Sequence, residues 1–488
     1  MGTEEAFGAR WGLVPRPYRV AGGVGEVPVR WAGVDSVTGP GTPSPVLPDT
    51  VVDVDGRGVR VDLRRVRGAS DLGLPEDTQD WQVAEASLLE VTRDGIRLSA
   101  TGGRGVQRGS WVLRRMVRAG RGTLPVATVL DRPAHRWRGL GLDIVRHFFG
   151  PADLLTVMDL MEELSLNVLH LHLSDDQGWR VEVPDLPELV ERSSAGAVDG
   201  DPGGFLTQED LGVLAQEAER RGIVLVPEVD VPGHTNAALH ALPDLSPGGR
   251  APEAYTGTEV GFSTLSTAAP GTGRFLDAVV DALRPWAAHG LHIGGDESHA
   301  TPPEEYSRLV GMMLERVHGA GLSAVAWQEA ATLLGASDLV QVWDERLDLA
   351  PVLEAAGRGV GVIASPASKV YLDMKYDDST PLGLTWMGTT ELREALEWDP
   401  DEVVPGLPAG SVEGVEACLW TETVRTFEDL TTLLLPRLAA AAEVAWSGSG
   451  VGQWDSFRRR VVAAGRSWEA RGLSWHRSPG VDWEGTVQ

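Results

Sequence analysis

Residues 138–180 read RGLGLDIVRHFFGPADLLTVMDLMEELSLNVLHLHLSDDQGWR. The run Arg138–Asp143 is short, with an apolar Gly-Leu-Gly-Leu interior between charged ends. After Pro151, at a helix start, Leu154, Leu155, Met158 and Met161 recur on one helical face, and Val168–Leu173 is a second short apolar run. Strand, amphipathic helix and strand in this order make one parallel unit, because strands covered by helices on both faces lose the in-and-out alternation of a half-exposed sheet. The same texture predicts six further strands, at Ile223–Glu228, Leu291–Gly295, Ala324–Trp327, Leu339–Trp343, Val360–Ala364 and Val415–Trp420. Helical faces between them include Phe275, Leu276, Val279, Val280 and Leu283, then Leu309, Val310, Met313, Leu314 and Val317. Eight such units over roughly 310 residues fit an α/β fold of the closed (β/α)8 TIM-barrel type better than an open doubly wound sheet, although counting alone leaves an open sheet with extra strands as the alternative. Val198–Gly204 and Pro243–Thr267 read as loops on the barrel, and Phe427–Ala445 and Trp454–Arg471 as closing helices.

Upstream the texture differs. GEVPVRWAG, TVVDVDGRGVRVDLRRV and SLLEVTRDGIRLSA, the last with a DG turn, read as short strands, and Gly105–Arg118 as one helix. Gly39–Pro48 is rich in Pro, Gly and Ser and is expected to be a loop. The change falls after Asp131-Arg132-Pro133, which sets the expected division: a small α+β domain over 1–133 and the barrel over 134–488.

The 488 residues are 42% hydrophobic, enough for a large core, and the balance of 43 basic against 70 acidic residues gives −27. Such a surface repels a phosphate backbone, so neither nucleic acid nor an anionic membrane is an expected partner. Cys418 is the single cysteine, which excludes an intramolecular disulfide, a thiol redox pair and a multi-cysteine zinc site. No apolar run is long enough for a signal peptide or a membrane span, so a soluble, cytoplasmic protein is expected, as a monomer or homodimer. The 17 Trp beside only 5 Tyr and 8 Phe ask for an explanation, since Trp fills cores but also walls sugar sites.

In a barrel, catalytic groups stand at the carboxyl ends of the strands. Here the ends carry Asp143, Arg146 and His147; Asp175, Asp176 and Trp179; Glu228, Asp230 and His234; Asp296 and Glu297; Trp327; Trp343; Tyr371 and Asp373; and Trp420 and Glu422. Carboxylates, Arg and aromatic rings suit a neutral, hydroxyl-rich ligand, with hydrogen bonds to hydroxyls and Trp faces against a sugar ring. They also suit glycoside hydrolysis, which needs a proton donor at the leaving oxygen and a stabiliser of positive charge at the anomeric carbon. In HIGGDE the adjacent carboxylates raise one of their two pKa values, and Glu297 is the expected acid. Adjacent strand residues point to opposite faces, so Asp296 and Glu297 serve one sugar only if the strand has ended or bulged by Asp296.

In order, RGLGLDIVRHFF, NVLHLHLSDDQGWR, VPEVDVPGHTNAAL, HIGGDE, AWQE, YLD and LWTE resemble the signatures of the β-N-acetylhexosaminidases of glycoside hydrolase family 20, from about Arg138 to Trp446. The resemblance implies a (β/α)8 barrel preceded by a small α/β domain. It also implies a retaining, substrate-assisted exo-hydrolase of terminal β-linked N-acetylglucosamine or N-acetylgalactosamine, with no metal or other cofactor. The 2-acetamido oxygen of the substrate would attack carbon; Glu297 would protonate the leaving oxygen, and Asp296 would hold the acetamido N–H and stabilise the oxazolinium ion. Tyr371 would donate to the acetamido oxygen within walls of Trp327, Trp343 and Trp420. Arg146, Asp373 and Glu422 would bind hydroxyls, Asp175 and His234 would tune Glu297, and Trp386 would be a platform at the mouth.

Two other readings compete. His170 and His172 share one face of a strand, as in barrel metallohydrolases, and His234 and His292 could complete a metal set. The pair lies mid-strand, however, and no bridging Lys is at hand, Lys369 and Lys375 being the only lysines. A sugar-binding protein without chemistry would keep the pocket but has no need of a proton donor.

Overall fold

The computed structural model describes residues 10–29, 31–32, 50–54, 57–120 and 122–485. The Gly39–Pro48 loop expectation lies outside them. Seven strands, β1 (Arg19–Pro28), β2 (Trp31–Ala32), β3 (Thr50–Val54), β4 (Arg57–Arg65), β5 (Ser87–Val91), β6 (Ile96–Ala100) and β7 (Thr123–Asp131), form one sheet ordered β1-β7-β5-β6-β4-β2, with β3 on β4. The DG turn joins β5 and β6 as an antiparallel pair. The predicted helix runs slightly longer, as α1 (Gly103–Gly120), and buries Leu113, Met116 and Val117 with Leu89, Leu98 and Val129 of the sheet.

Eight parallel strands then close into a barrel: β8 (Trp137–Asp143), β9 (Val168–His172), β10 (Val224–Glu228), β11 (Leu291–His292), β12 (Ala324–Trp327), β13 (Leu339–Val342), β14 (Gly361–Ala364) and β15 (Val412–Leu419). The open-sheet alternative is thereby overturned, since β15 pairs with β8 in register from Gly414↔Trp137 to Leu419↔Leu142. The longer helices around it are α2 (Pro151–Glu163), α3 (Gln208–Arg221), α4 (Thr272–Leu283), α5 (Pro303–Gly319), α6 (Ala350–Gly357), α7 (Phe427–Leu434), α8 (Arg437–Ser447) and α9 (Trp454–Ala470). The apolar faces read from sequence are the buried ones; Leu154, Met158 and Met161 of α2 are fully enclosed, and truncating one to Ala costs about 2–5 kcal/mol.

Of the boundaries that differ from expectation, two have a clear local cause. The helix expected over Phe427–Ala445 is two, because Pro436 has no N–H for the helical ladder and Leu435 before it is extended. Strand β11 stops at His292 rather than Gly295, because Gly294 and Gly295 both take positive φ. The sheet and the barrel are fastened by buried charge: Glu85 Oε2 accepts from Arg138 Nη2 at 2.6 Å and Arg108 Nε at 3.4 Å, and Trp446 Nε1 donates to Asp131 at 2.8 Å. Among the described residues no helix is long and apolar enough to cross a membrane.

Candidate active site

Register aligns the strand ends. Asp143, His172, Glu228 and His292 are partners on four successive strands, so whatever follows them emerges on one rim. Gly294, at φ +67°, turns the chain past Asp230; a Cβ there would lie 1.7 Å from Asp230 Oδ1, so the turn requires glycine. Glu297 itself sits at φ +33°, a conformation costly for a side-chain-bearing residue and typical of functional sites. With the strand already ended, Asp296 and Glu297 reach the same atom: His234 Nε2 lies 3.7 Å from Asp296 Oδ2 and 3.8 Å from Glu297 Oε2.

Burial, then the charge of Asp296, raises the Glu297 carboxyl to about 7, while the side chain remains 31% exposed. Burial also raises Asp296, opposed by the His234 cation. Behind them His234 Nδ1 lies 3.1 Å from Asp175 Oδ1. Asp175 Oδ2 pairs with Arg146 Nη2 at 2.7 Å and with His172 Nε2 at 2.9 Å. Despite burial, these cations hold the Asp175 carboxyl well below the usual range, and carboxylates hold the buried His234 imidazole well above its own.

On the other side stands a box of rings. Trp327 and Trp420 have centroids 6.0 Å apart, Tyr371 and Trp420 6.1 Å, and Trp343 stacks on Tyr371 at 6.2 Å and 12°. Trp386, 41% exposed, meets Trp343 and Tyr371 edge-on at 5.8 and 6.0 Å at the open end. The indole N–H groups are anchored outward, Trp327 to Glu228 at 3.0 Å and Trp343 to Glu329 at 3.3 Å, which fixes the planes of the walls. Burial, then the neighbouring Cys418, lifts the Tyr371 hydroxyl far above its ordinary range, so it remains a hydrogen-bond donor.

Between the carboxylate pair and the box lie groups with unused capacity. Both carboxylate oxygens of Asp373, Glu422 Oε2, Asp296 Oδ1 and Arg146 Nε are buried without a hydrogen-bond partner. Unpaired buried carboxylates are costly unless a ligand satisfies them, and burial accordingly raises both Asp373 and Glu422. Asp143 ties the two ends of the barrel here, accepting from Arg146 N at 3.1 Å with one oxygen and from Thr421 N at 3.0 Å with the other. The Tyr371–Asp373 segment is pinned from behind by buried Arg437, which donates to Leu372 O at 2.6 Å and Met374 O at 2.8 Å.

The twelve residues to which the family resemblance gives a role therefore converge. Three more belong with them. Asp230 faces both His234 and Asp296 electrostatically; Glu228 anchors Trp327; and Glu329 anchors Trp343 and is raised to about 8, by burial and then by Asp296. They lie in the motifs VPEVDVPGH and AWQE, yet nothing in the spacing distinguishes them from capping carboxylates. Sets of buried ligating atoms such as His172, Asp175 and Asp230 lie close enough to share an ion. In that set the donor chemistry does not fit one, because His172 turns both ring nitrogens to carboxylate oxygens, at 2.6 and 2.9 Å, and so has no lone pair to offer. His170 is placed likewise between Glu416 at 2.8 Å and Glu228 at 3.1 Å.

The family described as "Glycosyl hydrolase family 20, catalytic domain" matches residues 135–314 and 304–449. A β-N-acetylhexosaminidase of Cellulomonas fimi is 44% identical over 444 residues, which are 89% of each chain. Among solved structures, the family 20 β-N-acetylhexosaminidase of Streptomyces coelicolor A3(2) superposes with a TM-score of 0.85 at 32% identity, over 97% of this chain and 99% of that one. A mutant β-hexosaminidase of Streptomyces plicatus in complex with the product GlcNAc does so at 0.85 and 34%, over 97% and 98%. With its closed barrel, its carboxylate pair at the exit of the fourth strand and its ring-walled pocket, the chain belongs to glycosyl hydrolase family 20.

Proposed function

We propose that the chain removes terminal β-linked N-acetylglucosamine or N-acetylgalactosamine from carbohydrate substrates, with the site residues in the following roles. The sugar enters the pocket with its 2-acetamido group folded beneath the ring into the box of Trp327, Trp343, Tyr371 and Trp420. The acetamido oxygen attacks the anomeric carbon as the bond to the leaving oxygen breaks, and the Glu297 proton passes to that oxygen. Tyr371 donates its hydroxyl to the acetamido oxygen, and Asp296 accepts the acetamido N–H and offsets the positive charge of the oxazolinium ion. Glu297, now a carboxylate, takes a proton from water, whose oxygen attacks the anomeric carbon as the bond from that carbon to the acetamido oxygen breaks, which opens the oxazolinium ring and restores the acetamido group with configuration retained. Arg146, Asp373 and Glu422 bind the sugar hydroxyls, Asp175 and His234 tune the acid, and Trp386 receives the leaving group. In this reading residues 134–488 carry the whole site and residues 1–133 none of it.

The observation that carries this reading is the meeting of Asp296 and Glu297 at one His234 nitrogen, beside an aromatic box that holds the Tyr371 hydroxyl. The test is hydrolysis of an aryl β-N-acetylglucosaminide and of the matching β-glucoside by the wild type and by Glu297→Gln. Cleavage of the acetamido substrate alone, with a loss of about 100-fold or more in the variant, supports the roles. Comparable cleavage of the β-glucoside, or an unimpaired variant, refutes them.

A further inference from the structure

Beneath the pocket one layer of the barrel interior is built of charged side chains, above an apolar layer that includes Val168, Val226, Val325 and Ile363. Glu416 Oε1 of β15 lies 2.8 Å from His170 Nδ1 of β9, and His170 Nε2 lies 3.1 Å from Glu228 Oε2 of β10. Glu228 Oε2 meets His172 Nδ1 at 2.6 Å, His172 Nε2 meets Asp175 Oδ2 at 2.9 Å, and Asp175 Oδ1 meets His234 Nδ1 at 3.1 Å. His234 Nε2 then faces Asp296 and Glu297. Carboxylate and imidazole alternate without a break from the far side of the barrel to the reacting pair, and the six side chains of the row are at most 3% exposed. Burial works against each imidazolium, yet the flanking carboxylates outweigh it and hold His170, His172 and His234 above the ordinary imidazole range. An apolar filling would avoid the desolvation cost of such a row, so stability alone is a poor account of it. What the row supplies is a fixed cation at its end.

We propose that His172 and Glu228 are positioning residues for the proton donor: they keep Asp175 ionised and His234 cationic against Asp296 and Glu297, and their opposite charges act with opposite sign on the proton that this pair holds. The inference rests on the reading of Glu297 as the acid. The charges toward Asp296 support it, since Glu228 favours its protonated form and His172 its ionised form. The groups facing His172 are Glu228, Asp175 and, at 4.0 Å, Asp230. Those facing Glu228 are His170, His172 and His292, the last at 2.6 Å. Arg146 also faces Asp175, and Glu329 faces Asp296. The two carboxyls titrate as a pair, so a change of charge along the row moves both limbs of the activity profile together.

The test is the pH dependence of kcat/KM for the full chain, wild type, His172→Gln and Glu228→Gln, with two β-N-acetylglucosaminides. One has a methoxide leaving group that needs the proton, the other a dinitrophenolate that does not. The bell-shaped profile should move up by about half to one pH unit in His172→Gln and down by a similar amount in Glu228→Gln. Both variants should lose at least about tenfold more activity on the methyl glycoside than on the dinitrophenyl one. Profiles that stay in place, shifts of the same sign, or equal losses on the two substrates overturn the inference. If either variant fails to fold, the imidazole nitrogen resonances of the wild type decide instead: His172 and His234 should remain doubly protonated at pH 8, and titration of either below pH 7 overturns it. Glu297→Gln is run beside them; if it too lacks leaving-group dependence, the assignment of the acid has failed rather than the role of the row.

Discussion

Replacing Asp296 by Asn removes a negative charge without changing shape, and the structure fixes what that does to Glu297. Both carboxylates lie within 3.8 Å of one His234 nitrogen, so their charges are less than about 8 Å apart. At an effective dielectric constant of about 20 this is about 2 kcal/mol, or about one and a half pKa units. Glu297 is partly exposed, and solvent screening reduces the effect to about one unit. The sign follows from the charge: an anion opposes ionisation of its neighbour, so its removal lets Glu297 lose its proton at lower pH. The Glu297 carboxyl stands at about 7, and the alkaline limb of kcat/KM should therefore fall from about 7 to about 6. The assay is initial-rate hydrolysis of an aryl β-N-acetylglucosaminide between pH 4 and pH 9. Loss of charge stabilisation also lowers the whole profile by about 100-fold to 1,000-fold, which leaves the position of the limb as the readout. An alkaline limb that remains near 7, or moves upward, refutes the electrostatic pairing of the two carboxylates.

Tyr371→Phe deletes one buried donor while keeping the ring stack, so kcat should fall about 100-fold with little change in KM; a variant changed only in KM would place the hydroxyl elsewhere. Trp386→Ala removes the exposed ring at the mouth and should raise KM about three- to tenfold for an N-acetylglucosamine disaccharide while leaving a methyl glycoside unaffected. Equal effects on the two substrates would deny it a role as a leaving-group platform. Glu297→Gln should stabilise the fold in alkaline solution. The folded carboxyl is raised to about 7 from an ordinary 4.5, so the wild type loses stability as pH rises through that window and the neutral amide does not. Urea unfolding should show no difference below pH 4.5 and an advantage of about 1–2 kcal/mol to the variant at pH 8; an advantage independent of pH would contradict the shift.

How much of the site could be read in advance varied with the kind of interaction. Arg146, Asp175, His234, Trp420 and Glu422 stand at or just beyond strand ends, and those ends were legible because covered parallel strands are short, largely apolar runs followed by clusters of polar residues. Glu228 and Asp230 were legible as strand-end carboxylates, but no role for them or for Glu329 was, since their importance lies in what they face. Glu228 meets three imidazoles from two other strands, and Glu329 reaches the indole of Trp343 from the next strand. The apolar spacing over Phe427–Ala445 continues across the break and so reads as one helix, although Pro436 divides it.

The sequence by itself determined the order of strands and helices and which residue types stand at the barrel rim. Those follow from local periodicity and from burial, which act on neighbours along the chain. Only the tertiary structure decided that the sheet closes, that Gly294 swings past Asp230 to bring two adjacent carboxylates to one imidazole, and that Glu416 meets His170 across 246 residues of chain. The raised pKa of Glu297 belongs to that second class. A pKa is set by the dielectric and the charges that surround a group in space, and these exist only once distant segments have packed together.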